Sequence, residues 1–145
     1  MEVTIPEAKF WSAETPHLYT AVARRGGEEK RTSFGIRMVE CDPMRGFLIN
    51  GKRTLLRGGC IHHDNGVLGA CSYPDAEERR VRILKEQGFN ALRISHNPAS
   101  RAPLDACDKP GMSVMDECFA GWYSPKNYHA YSRECFEGYK ADPRD

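Results

Sequence analysis

The stretch Phe89-Asn90-Ala91-Leu92-Arg93-Ile94-Ser95-His96-Asn97-Pro98 couples an apolar, strand-like run to an abrupt polar end. In a parallel α/β sheet, ligands meet the carboxyl ends of the strands, so a Ser-His-Asn cluster at that point is better accounted for by chemistry than by packing. The same layout recurs twice. Leu55-Leu56-Arg57-Gly58-Gly59-Cys60-Ile61 runs into His62-His63-Asp64, and Met112-Ser113-Val114-Met115 runs into Asp116-Glu117. Three polar clusters are therefore expected at the same end of three adjacent parallel strands.

The spacers between these runs have the length and pattern of crossover helices. Asp75 suits an N-cap for a helix opening at Ala76, with Glu78 three residues on as in a capping box and Gly88 as the C′ residue. Val81 and Leu84, with Ala76 and Ile83 alongside, give it a narrow apolar face, while Glu77, Arg80, Lys85 and Glu86 are expected in water. A second helix is expected from Ser100 through Leu104, Ala106 and Cys107 to about Lys109, with Gly111 beyond it. The resulting β-α-β-α-β order implies right-handed crossovers and a parallel sheet buried on its helix side. Upstream, residues 19–24 and 31–39 read as strands around a Gly26-Gly27 turn.

Charge excludes two classes of partner. With 21 basic and 20 acidic residues the formal charge is +1, so neither nucleic acid nor a membrane surface is expected as a partner. No apolar run approaches the roughly 20 residues of a membrane span, and the first residues lack the apolar core of a signal peptide, so a cytoplasmic location is expected. The six cysteines show no Cys-x-x-Cys spacing and read as reduced thiols packed like small hydrophobes, not as a zinc or disulfide framework.

Several longer stretches resemble glycoside hydrolase family 2, the family of β-galactosidases, β-glucuronidases and β-mannosidases. They are Trp11-Ser12-Ala13-Glu14-Thr15-Pro16-His17-Leu18-Tyr19, Phe34-Gly35-Ile36-Arg37, Gly46-Phe47-Leu48-Ile49-Asn50-Gly51-Lys52 and the three strand-end clusters. Most specific is Asn90 to Met112, where Asn-x-x-Arg-x-Ser-His-x-Pro is followed by Leu104, Cys107-Asp108 and Gly111. The bacterial β-galactosidase-like branch fits best, through Ile61-His62-His63-Asp64 and Leu68-Gly69. The resemblance implies an α/β chain: residues 1–40 as the C-terminal part of an immunoglobulin-like β-sandwich, and residues 41–145 as the first three βα units of a (β/α)8 TIM barrel. The 145 residues are too few for a whole barrel of about 250. It further implies a part of a retaining glycosidase that cleaves terminal β-glycosidic bonds with two carboxylates about 5 Å apart. In the family both catalytic glutamates lie on later barrel strands, so both are expected beyond Asp145 and no glutamate of this chain is expected to take either role. A homo-oligomeric parent enzyme is expected.

Each candidate residue has two readings. By pattern alone, Arg93 and His96 are equally an inward-facing barrel arginine and a helix-capping histidine; the resemblance implies that both line a sugar pocket, the guanidinium orienting carboxylates and the imidazole bonding sugar hydroxyls. Asp64 is implied to accept from sugar hydroxyls. His62 and His63 are candidates for the pocket wall or for loop hydrogen bonds, and Asn97 joins them. Asp116 and Glu117 are implied to support that wall. Trp122 either stacks on a sugar face or fills the lower core, the first being the expectation. Trp11 and Tyr19 are expected in the sandwich core.

Departures from the family pattern narrow the reading. Pro110 and Pro143 replace apolar residues in expected helices, Ala120 stands where the nearest branch has an aspartate, and Gly121 and Tyr123 occupy positions where some β-galactosidases carry metal ligands. No cofactor or magnesium site is therefore expected. Two alternatives stand beside the glycosidase part: a non-catalytic fragment that acts only through self-association at open sheet edges, and a metal-dependent barrel hydrolase built on His62, His63, Asp64, His96 and Asp116.

Overall fold

A computed structural model describes residues 3–118, 121, 124–130, 132, 134 and 138. Trp122, Ala120, Tyr123, Cys135, Pro143 and Asp145 lie outside the described residues. The expectation that both catalytic glutamates come after Asp145 therefore concerns chain that the structure does not describe. β1 (Tyr19–Arg25) and β2 (Glu28–Phe34) form an antiparallel hairpin, registered from Tyr19 opposite Phe34 to Arg25 opposite Glu28. The Gly26-Gly27 turn has both φ angles positive, as a two-residue hairpin loop of the right twist requires. The expected strand over 31–39 does not run through. It breaks after Phe34 because Ile36 turns to accept a hydrogen bond from Trp11 N (2.7 Å), and Gly35 lies against the Trp11 side chain.

β3 (Val39–Asp42), β4 (Gly46–Ile49) and the short β5 (Lys52–Arg53) follow as an antiparallel meander. Asp42 stabilises its first turn by accepting from Met44 N and Arg45 N at 2.8 and 2.7 Å. Asn50, in the second turn, accepts from Met38 N (2.9 Å) and donates to Trp11 O (3.0 Å). Trp11 is thereby held from two sides. It is buried, its indole N–H donates to Asp108 O at 3.0 Å, and the Arg37 guanidinium lies 4.8 Å above its ring. Trp11 is buried as expected, and the polar tip of the indole finds its partner in a carbonyl at the C-terminal end of a helix far along the chain. Tyr19 stays half-buried, stacked on Phe34 with its hydroxyl accepting from Lys9 N at 2.8 Å.

The second half is a partial barrel. β6 (Gly58–Ile61), β7 (Ala91–Ile94) and β8 (Ser113–Asp116) are parallel in that order, joined by α1 (Pro74–Glu86) and α2 (Arg101–Asp108). Leu55 and Leu56 are exposed and precede the strand instead of belonging to it. Asn90 explains the late start. Its side chain accepts from Arg57 N (2.7 Å) and donates to Leu55 O (2.9 Å), taking over the backbone bonds that a longer ladder would make.

The register sorts the strand residues into two faces. Leu92, Val114 and Ile61 pack with Val81, Leu84, Phe89, Ala106, Cys107 and Met112 beneath the helices. Cys60, Arg93 and Met115, one register row, face the other way with Gly58, Ala91 and Ser113. There they line a concavity of ≈ 570 Å³ whose floor includes Val39, Cys41, Phe47 and Ile49.

α1 differs from its expected form in two respects. It opens at Pro74, with Tyr73 as N-cap and no side-chain cap bond, because proline needs no N–H partner at the first position and already has the helical φ. Glu78 reaches Lys109 Nζ instead of closing a capping box. Glu77, Arg80 and Lys85, expected in water, are drawn inward. Glu77 is 2 % exposed beside Arg80. Lys85 Nζ donates to Ala13 O (2.8 Å) and Gly111 O (3.0 Å), and desolvation there lowers its pKa. α2 and the C′ role of Gly88 follow the expectation closely, and Pro110 falls past the helix end, where its missing N–H costs nothing.

Candidate functional site

Ile61, Ile94 and Asp116 share the last register row of β6 to β8, so the residues that follow each strand emerge at one end of the sheet. The convergence expected from the repeated apolar-then-polar pattern is therefore present. At its centre is Glu117. Arg93 Nε donates to Glu117 Oε1 at 2.6 Å, the Arg93 Nη2 also contacts that oxygen, and His96 Nδ1 lies 3.3 Å from Oε2. Arg93 Nη1 reaches Cys60 Sγ at 3.4 Å. Desolvation pushes the Glu117 carboxyl up, but the Arg93 and His96 bonds and charges together outweigh it and hold its pKa below the ordinary value. The Arg93 bond likewise lowers the Cys60 thiol, and the Cys60 and Glu117 bonds raise Arg93. Glu117 is thus an ionised carboxylate whose two oxygens are committed to two donors. Such a group orients its neighbours.

The two histidines of the first cluster divide their roles. His62 Nδ1 is 3.0 Å from Ser95 O; a carbonyl only accepts, so Nδ1 carries the proton and Nε2 of the neutral ring is left as an acceptor. Its ring meets that of His96 edge-on at 5.4 Å. His63 Nδ1 faces Asn97 Nδ2 at 3.4 Å, the opposite tautomer. The Ser95–His96 peptide is cis. Ser95 Oγ is buried among the described residues without a hydrogen-bond partner.

The remaining candidates stand outside this cluster. Asp64 projects from the loop after β6 with its side chain 76 % exposed, and among the described residues its nearest cation is Arg80 Nη1 at 3.8 Å. Asp116 Oδ1 accepts from Ala99 N at 3.0 Å and so braces the loop before α2. Trp122 lies outside the described residues. The structure thus brings together Arg93, His96 and Glu117, with His62 against them and His63 paired to Asn97. It leaves Asp64 and Asp116 to the loops. Three participants were missed in the sequence. Cys60 is Arg93's register partner and would have followed from pairing the strands, whereas Glu77 and Arg80 showed only a three-residue helical spacing.

Among the described residues no group of three or more His, Cys, Asp or Glu side chains is arranged to hold a metal ion. Of the five candidate ligands of a metal-dependent hydrolase, His62, His63, His96 and Asp116 are each engaged in a separate hydrogen bond, and the Asp64 side chain is largely exposed. Cys41, Cys60, Cys71, Cys107 and Cys118 are free thiols.

Comparison with known proteins gives a consistent picture. Residues 42–138 match the model of the glycosyl hydrolases family 2 TIM barrel domain, and residues 1–37 match a second model described as glycosyl hydrolases family 2. The chain is 40 % identical over 149 residues to the beta-galactosidase BoGH2A of Bacteroides ovatus, covering 99 % of this chain and 18 % of that protein. A beta-glucuronidase of Bacteroides fragilis is 30 % identical over 123 residues, or 81 % of this chain and 18 % of the relative. A solved beta-glycosidase from Bacteroides vulgatus superposes with a TM-score of 0.82 at 36 % identity, over 94 % of this chain and 18 % of its own. The chain therefore spans less than a fifth of the length of these relatives.

Proposed function

Because the chain belongs to glycosyl hydrolase family 2, we propose that it is one part of a retaining β-glycosidase of the β-galactosidase-like kind. Residues 41–145 form the first three βα units of the catalytic barrel in this reading, and residues 1–40 the end of an immunoglobulin-like sandwich. The observation that carries it is the Arg93–Glu117–His96 arrangement at the carboxyl ends of the adjacent parallel strands β7 and β8. Glu117 fixes Arg93 and His96, His96 and the Nε2 of His62 meet the hydroxyls of a terminal sugar, Asp64 accepts from others, and Trp122 stacks on the ring. The two catalytic carboxylates come from later strands of the same barrel, beyond Asp145. The committed state of Glu117 supports that division, since a nucleophile needs a free oxygen and a second carboxylate about 5 Å away.

The test is kinetic, on the full-length enzyme with paired nitrophenyl β-galactoside and β-glucuronide substrates. His96→Ala is expected to lower kcat/KM by at least about a hundredfold on the preferred substrate while the melting temperature moves little, because a hydroxyl contact tightened in the transition state is lost from an otherwise intact rim. Activity falling only in proportion to the folded fraction would make the cluster a structural one. The ratio of the two substrates identifies the sugar.

A further inference from the structure

We propose that Glu77 and Arg80, both on α1, are positioning residues that act on substrate through Asp64. The inference rests on the reading of Asp64 as a sugar-binding carboxylate. The Glu77 side chain is 3 % exposed, and its carboxylate is saturated with donors. Oε1 accepts from Ser72 Oγ (3.0 Å) and Asn65 Nδ2 (3.3 Å), while Oε2 accepts from Arg80 Nε (3.1 Å) and Nη2 (2.5 Å). Asn65 and Ser72 flank the loop that follows the His-His-Asp segment. Arg80, with two nitrogens held by Glu77, turns the third outward: Nη1 donates to Asp64 O at 2.9 Å and His62 O at 3.4 Å.

A buried ion pair is seldom favourable for stability alone, because desolvating both charges offsets most of their attraction, so its geometry asks for another reason. Here the pair joins a rigid helix to main-chain carbonyls on either side of His63. The Asp64 side chain is largely exposed and, among the described residues, has no bond short enough to hold it; what these residues hold is its backbone carbonyl. The anchoring extends sideways. Ser100 Oγ donates to Ser72 Oγ at 2.8 Å, and Asp116 accepts from Ala99 N, so the loops after β6 and β7 and the end of β8 form an outer belt around the Glu117 cluster.

The test is a double-mutant cycle on kcat/KM in the full-length enzyme with a nitrophenyl β-galactoside. Glu77→Met with Arg80→Met replaces the pair by apolar side chains of similar length and leaves no unpaired charge. Asp64→Asn is the second leg. The clamp variant is expected to lose about tenfold in kcat/KM, mostly through KM, and to cause no further loss in the Asp64→Asn background. Arg80→Lys, which keeps a cation beside Glu77 and gives up the fork that reaches both carbonyls, is expected to show the same coupling at smaller amplitude and serves if the double replacement fails to fold. Losses that add in full, or wild-type kinetics in the clamp variants beside a damaged Asp64→Asn, overturn the positioning role and leave the site reading standing. Wild-type kinetics in Asp64→Asn overturns the substrate role of Asp64, and the inference with it.

Discussion

Gly111→Ala and Gly88→Ala are chemically the same change at two helix-end glycines, and the structure separates their costs. Both residues have positive φ, +77° and +87°, so each alanine incurs about 1 kcal/mol for the left-handed conformation. At Gly88 nothing among the described residues lies within 4 Å of the new methyl group, and the cost ends there. At Gly111 the methyl would sit 2.6 Å from Ala13 O. That is about 0.9 Å inside an ordinary van der Waals separation of about 3.5 Å. Ala13 O must retreat, and it is the acceptor of the Lys85 Nζ bond, a charge-assisted bond worth about 1.5 kcal/mol or more. Gly111→Ala is therefore expected to cost about 2.5 kcal/mol, against about 1 for Gly88→Ala. Native-state hydrogen exchange on the full-length protein, read at peptides covering residues 10–15, converts the difference into a rate. Opening at Trp11 N is expected to accelerate on the order of tenfold more in Gly111→Ala than in Gly88→Ala, since 1.4 kcal/mol is a factor of ten. Equal acceleration in the two variants would refute the close approach of residue 13 to the α2–β8 turn, and with it the docking of the N-terminal segment on the barrel.

Other expectations follow from single side chains. Glu117 has a folded pKa below its ordinary 4.5, so the stability it contributes is present above that value and lost as pH falls through the folded one; the melting-temperature gap between wild type and Glu117→Gln should close on acidification below about pH 4.5. A gap that widens in acid would reverse the assigned sign. Cys107, almost fully buried with its thiol pushed up to about 12 by desolvation, should resist iodoacetamide under native conditions while Cys41 is alkylated, as read by peptide mass spectrometry. Asn90→Ala should destabilise by about 2–4 kcal/mol in urea unfolding, because it strands Arg57 N and Leu55 O together, and Asn90→Asp should recover the part owed to the retained acceptor.

What was legible in the sequence were features written locally. β6 to β8, their parallel order and the helices between them show as apolar runs and 3.6-residue periodicity, and Gly88 and Gly111 mark the helix ends. What was not legible depends on partners far along the chain. Lys85 reads as a solvated helix residue until Ala13, 72 positions away, supplies a carbonyl. Trp11 reads as the core of its own domain until Asp108, 97 positions away, accepts its N–H. Leu55 and Leu56 look like a strand interior, and only the Asn90 side chain, which replaces the ladder at that level, shows why the strand starts later. Glu77 is the sharpest case, since hydropathy places a glutamate on the wet face and only the Asn65–Ser72 loop folding over the helix makes its burial tolerable.

The two readings that the sequence left open for Arg93 turn out to describe one residue. On β7, Leu92 and Arg93 must face opposite ways; Leu92 enters the helix-side core, so Arg93 points to the other face in a row with Cys60 and Met115. An ionised guanidinium on an otherwise apolar barrel face needs a carboxylate. Along β8 and its extension, residues two apart share a face, so the acid that can answer Arg93 is the one two positions past Met115. That residue is Glu117. Asp116, one position earlier, is turned to the opposite side by the same alternation and is found bonding Ala99 N on the helix-side loop. The inward arginine is therefore tied to the strand-end cluster by strand geometry alone, and the order Asp-Glu, not merely the presence of two acids, determines which carboxylate orders the site.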